Sequence, residues 1–210
     1  IVNNLTKRTL TGALFVIVLI GSIALSPFSF GVLFAVIVVL GLNEFYKLAR
    51  TEQVLPLRYV GIVIGCVVFI TNFLYAAGYV SAVIFVLYVP LIVAIPVAEL
   101  YRKNDHPFID ISYTIFGVMY VAVPFSLCNY LVFNPLNKNG YNPVFLLGFF
   151  FLLWANDTGA YLIGSAIGKR RLFERISPKK SWEGTIGGGL SSLLIAWLLS
   201  SVYGEMGLMH

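Results

Sequence analysis

The chain has 210 residues, 59% of them hydrophobic and 11% charged, with a mean hydropathy of +0.90. Soluble domains carry about 25% charged residues, so this composition excludes an ordinary globular enzyme and places the chain in lipid. Its formal charge of +5 would suit nucleic acid, but the cations stand in short segments between apolar runs, so membrane topology and not a nucleic-acid partner explains them.

A helix needs about 20 apolar residues to cross ~30 Å of hydrocarbon. In chain order, seven runs meet or approach that length: 9–25, 28–42, 59–77, 80–98, 112–133, 143–167 and 185–202. The fold class this predicts is all-α, a polytopic helical bundle forming a single transmembrane domain over residues 1–210, with 168–184 as a cytoplasmic basic loop. The chain starts at Ile1 and not at Met, which suggests that the native start lies elsewhere. Lys7-Arg8 before the first run resembles a signal peptide, but further spans follow directly, so the run reads as an uncleaved first span. The second run is short and extends naturally through Asn43-Glu44-Phe45-Tyr46. Glu44 is expected to serve structure, paired with Lys47 or Arg8. Pro90 and Pro96 predict a kink in the fourth run.

With the N-terminus in the cytoplasm, thirteen of the fourteen Lys and Arg fall inside and only Lys138 falls outside. This distribution fits the positive-inside rule and sets both orientation and span parity, leaving His210 outside. Cys66 and Cys128 lie inside apolar runs without metal-type spacing and read as packing residues. His106 and His210 have no partner in the sequence that would give them a role.

The sixth run contains an ionisable residue, Asp157, in Asn156-Asp157-Thr158-Gly159-Ala160-Tyr161. A carboxylate in hydrocarbon is costly and is usually tolerated only toward a cavity, a partner or an ion. Asp157, Tyr161, Gly164 and Gly168 share one helical face, and Ala160, Gly164 and Gly168 form a small-residue stripe suited to close helix packing. Asp157 is expected to face the bundle interior, either as a hard-cation or proton site or as a plain interhelical contact with Asn156 and Thr158.

The basic segment follows at once. Ser177-Pro178 reads as a helix start, with Ser as N-cap and Pro in the first turn. Lys179 and Lys180 would then join free backbone N–H groups at a phosphate-binding helix terminus. Glu183, four residues after Lys179, would orient that lysine or help hold a metal. Gly184, Gly187, Gly188 and Gly189 leave room for a ligand or a second helix. Gly164-Ser165-Ala166-Ile167-Gly168-Lys169 is not a phosphate loop: its spacing is one short, and it ends a membrane helix instead of following a strand.

Together, Asn156-Asp157-Thr158-Gly159-Ala160-Tyr161, Gly164, Gly168-Lys169 and Ile176-Ser177-Pro178-Lys179-Lys180-Ser181-Trp182-Glu183-Gly184 resemble the phosphatidate cytidylyltransferase family, with Glu44-Phe45-Tyr46 similar as well. The resemblance implies a membrane nucleotidyltransferase that makes CDP-diacylglycerol and pyrophosphate from CTP and phosphatidic acid, with Mg²⁺ as cofactor. It implies catalytic roles for Asp157, Lys179 and Lys180, with Asp157 at the metal. Substrate binding would fall to Asn156, Lys169, Ser177, Lys179, Lys180, Glu183 and Gly184. Membrane lipids are the surrounding partners, a homodimer is compatible with the pattern, and the location implied is the bacterial inner membrane with the site on the cytoplasmic side. The family's C-terminal signature, a Lys-Asp pair, a His-Gly-Gly step and an Asp-Arg-x-Asp ending, has no counterpart before His210. This segment is therefore expected to lack part of the active site and to be inactive alone. The rival reading is an ion-coupled transporter with Asp157 as the ion site, against which stands the absence of an inverted repeat. A different lipid-phosphate transferase of the same architecture is a third.

Overall fold

The computed structural model describes residues 2–133 and 140–202, so Lys138 and His210 lie outside the described residues. The helices follow the apolar runs. α1 spans Val2–Leu25, α2 Pro27–Ala49, α3 Arg58–Ala76, α4 Tyr88–Leu100, α5 Pro107–Gly117, α6 Val123–Val132, α7 Val144–Ile167 and α8 Trp182–Val202. Among the described residues, six helical stretches are long and apolar enough to cross a membrane, and the apolar part of α1, Thr9–Leu25, is a shorter seventh. The fold among the described residues is thus all-α apart from one small hairpin, β1 (Arg171–Phe173) paired antiparallel with β2 (Ser177–Ser181). Backbone contacts divide the chain into two compact units, 1–143 and 144–210.

Prolines shape the irregular stretches of the first unit. The fourth span opens as a 3₁₀ helix, Ala82–Leu87, and becomes α-helical just before Pro90, whose missing N–H falls in the first turn where no partner is needed. Pro96 sits inside α4. In the fifth span a π-helical stretch, Val118–Ala122, separates α5 from α6 directly before Pro124. The wider turn absorbs the carbonyl clash that a proline imposes one turn back. Ser26 caps α2, its hydroxyl accepting from Ser29 N at 3.1 Å, with Pro27 in the first turn.

The core of this unit is a stripe on α2. Phe30, Phe34, Val38, Leu42 and Tyr46 recur every fourth residue and are buried. Lipid tails are as apolar as these side chains, so what such a stripe gains over lipid is packing, which requires close approach. Glycines permit it: Leu42 fits over Gly65, and Tyr46 lies between Gly61 and Gly117. The Tyr46 hydroxyl donates to the Thr114 carbonyl at 2.7 Å.

A buried polar network extends this contact. Asp110 accepts from Leu55 N at 2.6 Å and from Asn104 Nδ2 at 3.0 Å. Glu99 accepts from Arg102 at 2.8 Å, and Thr114 Oγ1 accepts from Leu57 N at 2.9 Å. These bonds tie the α2–α3 connection to α5 and to the α4–α5 turn. Glu44 pairs with Lys47 at 2.6 Å in an exposed ion pair, the structural role its position suggested.

Candidate functional site

The second unit consists of α7, the hairpin and α8, and small residues fasten its two helices together. A Cβ at Gly184 would lie 2.8 Å from the Ala160 carbonyl oxygen, and one at Gly188 would lie 2.7 Å from the Asn156 carbonyl. Gly187 faces Ile163, Gly159 faces Ser191, and Ser192 Oγ donates to the Leu152 carbonyl at 3.2 Å. The glycines therefore accept a helix. Gly189 alone of this run has open space at its Cβ position, because it points off the contact face.

The helix start differs from the sequence expectation. Ser177-Pro178 does not cap α8: Ser177, Lys179 and Lys180 lie on β2, and α8 begins at Trp182. The cap is Ser181, a residue that sequence reasoning passed over. Its buried hydroxyl accepts from Gly184 N at 3.1 Å. Electrostatics explains the choice. Starting at Ser177 would put two lysines in the positive first turn, whereas starting at Ser181 puts Glu183 there. Ser181 followed by an apolar run was the available signal.

Glu183 also departs from its expected partner. Instead of Lys179, its carboxylate meets the backbone after α7, accepting from Lys169 N at 3.2 Å and from Arg170 N at 3.2 Å. Trp182 N donates to the Arg170 carbonyl at 2.9 Å. Glu183 thus joins the exit of α7 to the entry of α8, a positioning role in place of the expected contact with Lys179. The side chains of Lys169, Arg170, Arg171, Arg175, Lys179 and Lys180 are exposed, and none is in an ion pair among the described residues.

Asp157 is exposed, with no hydrogen-bond or ion-pair partner among the described residues. It is not enclosed by its own unit. Asn156 next to it turns onto Gly188 of α8, and Asp157, a further 100° round the helix, points off that contact. The expected common face is therefore split: Gly164 and Gly168 pack toward Ser181 and α8 while Asp157 and Tyr161 are left exposed. Gly164 lies against Gly184, so Asp157, seven residues earlier, sits about 10 Å below the entry of α8 at ~1.5 Å per residue. The unit thus carries the exposed Asp157 carboxylate on α7 and a row of exposed cations at its end, on helices joined by backbone-level packing.

A hard divalent cation fits such a carboxylate. Mg²⁺ is commonly held by one or two carboxylates together with water and substrate phosphates. No group of three or more His, Cys, Asp or Glu that could form an all-protein cage occurs among the described residues.

Residues 6–210 match the sequence model of the Cytidylyltransferase family. A phosphatidate cytidylyltransferase of Haemophilus influenzae is 32% identical over 192 residues, covering 82% of this chain and 64% of that protein. The Rickettsia bellii protein of the same name is 33% identical over 116 residues, covering 55% of this chain and 48% of its own length. One from Staphylococcus aureus (strain COL) is 37% identical over 93 residues, covering 44% of this chain and 33% of its own. The chain therefore spans less than two thirds of the length of these relatives. A match over nearly every residue settles the assignment: the chain belongs to the cytidylyltransferase family.

Proposed function

We propose that this chain belongs to a membrane nucleotidyltransferase that joins CTP and phosphatidic acid into CDP-diacylglycerol and releases pyrophosphate. The observation that carries the reading is the exposed, unpaired Asp157 carboxylate on α7, about two turns (~10 Å of helical rise) below the level at which the glycine contacts join α7 to α8, with the cationic hairpin at that end. The names of the relatives supply the substrate class.

In this reaction a phosphate oxygen of phosphatidate attacks the α-phosphorus of CTP. The bond from that phosphorus to the bridging oxygen breaks, and pyrophosphate leaves. Nucleophile and acceptor are both anionic, so charge neutralisation is the main requirement and no side-chain nucleophile is needed. Asp157 would hold Mg²⁺, which when bound supplies charge neutralisation at the phosphates. Lys179 and Lys180 would hold phosphate oxygens, with Lys169 and Ser177 beside them at the same end of the unit. Asn156 and Gly184 serve this site through packing, since both lie in the α7–α8 contact. We place the N-terminus and the hairpin on the cytoplasmic side of the inner membrane, following the cation distribution and the location of CTP. Asp157 as the coupling-ion site of a transporter rests on the carboxylate alone, and the family assignment speaks against it.

The test uses the chain extended to the full length of its relatives, reconstituted with phosphatidate and radiolabelled CTP. Asp157→Asn keeps size and removes charge. Electrostatic groups of this kind contribute about 10²–10³ in turnover, so a loss of that order is expected, with a raised Mg²⁺ requirement and normal membrane insertion. Near-normal turnover with unchanged Mg²⁺ dependence would remove Asp157 from the site.

A further inference from the structure

The hairpin has a feature that phosphate binding does not use. At and beside its tip, Phe173 is 61% exposed and Ile176 82%, and Trp182 at the base is 54% exposed. Leu172, Phe173, Glu174, Arg175 and Ile176 line a shallow concavity there. A hairpin standing in water would turn these side chains inward, and nothing in the described chain covers them. Around them, between Lys169 and Glu183, six cations face only two carboxylates, Glu174 and Glu183.

The geometry points to the hairpin as an interfacial element that lies in the lipid headgroup layer, with Phe173, Ile176 and Trp182 entering the acyl boundary and Arg171 and Arg175 binding the phosphates of anionic lipids. This goes beyond the proposed reaction and rests only on α7 and α8 crossing the membrane. Both ends of the hairpin are fastened to those helices, through Trp182 N to the Arg170 carbonyl and through Glu183 to the backbone at Lys169 and Arg170. The hairpin therefore cannot leave the surface. From Arg171 to the turn at Glu174 is about 10 Å at ~3.3 Å per residue, comparable to the ~5–8 Å headgroup layer on one side of a bilayer. Apolar tips flanked by cations are what such a layer selects: aromatic rings settle at the interface, and basic groups gather at anionic leaflets. The occupant is thus a lipid surface with net negative charge.

The experiment places a nitrobenzoxadiazole label on Ile176→Cys, in the full chain carrying Cys66→Ala and Cys128→Ala, in nanodiscs of phosphatidylcholine with or without phosphatidylglycerol. Phosphatidylglycerol is a phosphodiester, so it supplies negative charge without presenting the phosphomonoester of the proposed substrate. Gln53→Cys, in the exposed α2–α3 connection, gives the aqueous reference, and Phe173→Cys repeats the measurement at an independent site. The label at 176 is expected to show at least about twofold less acrylamide quenching than at 53, and quenching by headgroup-level nitroxide lipid. Its protection should rise with phosphatidylglycerol, and it should fall in high salt or with Arg175→Gln, as surface electrostatics screened over ~8 Å requires. Acrylamide access equal to that at 53 in both lipids would overturn the proposal. So would protection without nitroxide quenching, which would mean a protein cover, and so would protection indifferent to lipid charge and salt. None of these readings depends on CDP-diacylglycerol formation, so failure here and failure of the proposed reaction are separately visible.

Discussion

Two adjacent glycines on α8 allow the α7–α8 contact to be tested without confounding helix propensity. A Cβ at Gly188 would stand 2.7 Å from the Asn156 carbonyl oxygen and 3.1 Å from the Ala160 Cβ, whereas one at Gly189 would meet nothing within 4 Å. Ordinary van der Waals contact with oxygen needs several tenths of an ångström more, and the Asn156 carbonyl belongs to a helical backbone that cannot rotate away. Gly188→Ala must therefore push α7 and α8 apart, a misfit of the kind that costs about 1–3 kcal/mol. Gly→Ala in a helix interior also gains about 0.8–1 kcal/mol of propensity, but Gly189→Ala gains the same amount, so the difference between the two variants isolates packing. That difference is expected to be about 1–3 kcal/mol, read as resistance to denaturant in a mild detergent. Activity should respond more sharply. Moving Asp157 by ~1 Å relative to the hairpin can cost on the order of 10²-fold in turnover, while Gly189→Ala should leave it intact. Equal stability and equal activity of the two variants would refute the claim that this contact positions the site.

Changing Lys179 or Lys180 to Gln should lower CTP or phosphatidate use strongly and should still do so at high salt, whereas Arg170→Gln should have a small, salt-dependent effect; similar small losses at all three would favour general headgroup attraction, screened over ~8 Å. Lys→Arg at 179 or 180 should also be poor, because a planar fork does not replace a compact ammonium. In the first unit, Asp110→Ala leaves Leu55 N without its acceptor and Asn104 with Glu99 alone, which should cost about 1–3 kcal/mol and speed tryptic cleavage at Arg50 and Arg58; unchanged cleavage would show that the network does not hold the connection.

The helices were legible because a membrane helix must satisfy its backbone internally and is apolar throughout, so spans announce themselves as runs. Helix starts were less so, and the two Ser-Pro pairs show why. At Ser26-Pro27 the chain reverses between two apolar helices, and the serine caps as the local signal says. At Ser177-Pro178 the same dipeptide enters a strand, because Ser181 offers a start with an acid instead of two lysines in the first turn. The Glu99–Arg102 pair was visible at helical spacing, but its link through Asn104 to Asp110, and from Asp110 to Leu55 N, joins residues far apart in sequence. No local pattern carries that.

The carboxylates of the candidate site make the same point in chemical terms. Asp157 and Glu183 were both offered as metal or phosphate partners by their place in a motif. Glu183 accepts from two backbone N–H groups at the exit of α7, so its charge holds the hairpin's base. Asp157 keeps all its lone pairs, because the turn of α7 that carries it sends Asn156, and not the acid, onto Gly188. The same contact that brings the helices within backbone distance leaves the acid outward. Close packing and a free carboxylate are therefore two results of one helical phase, and a one-residue shift of that phase would exchange them.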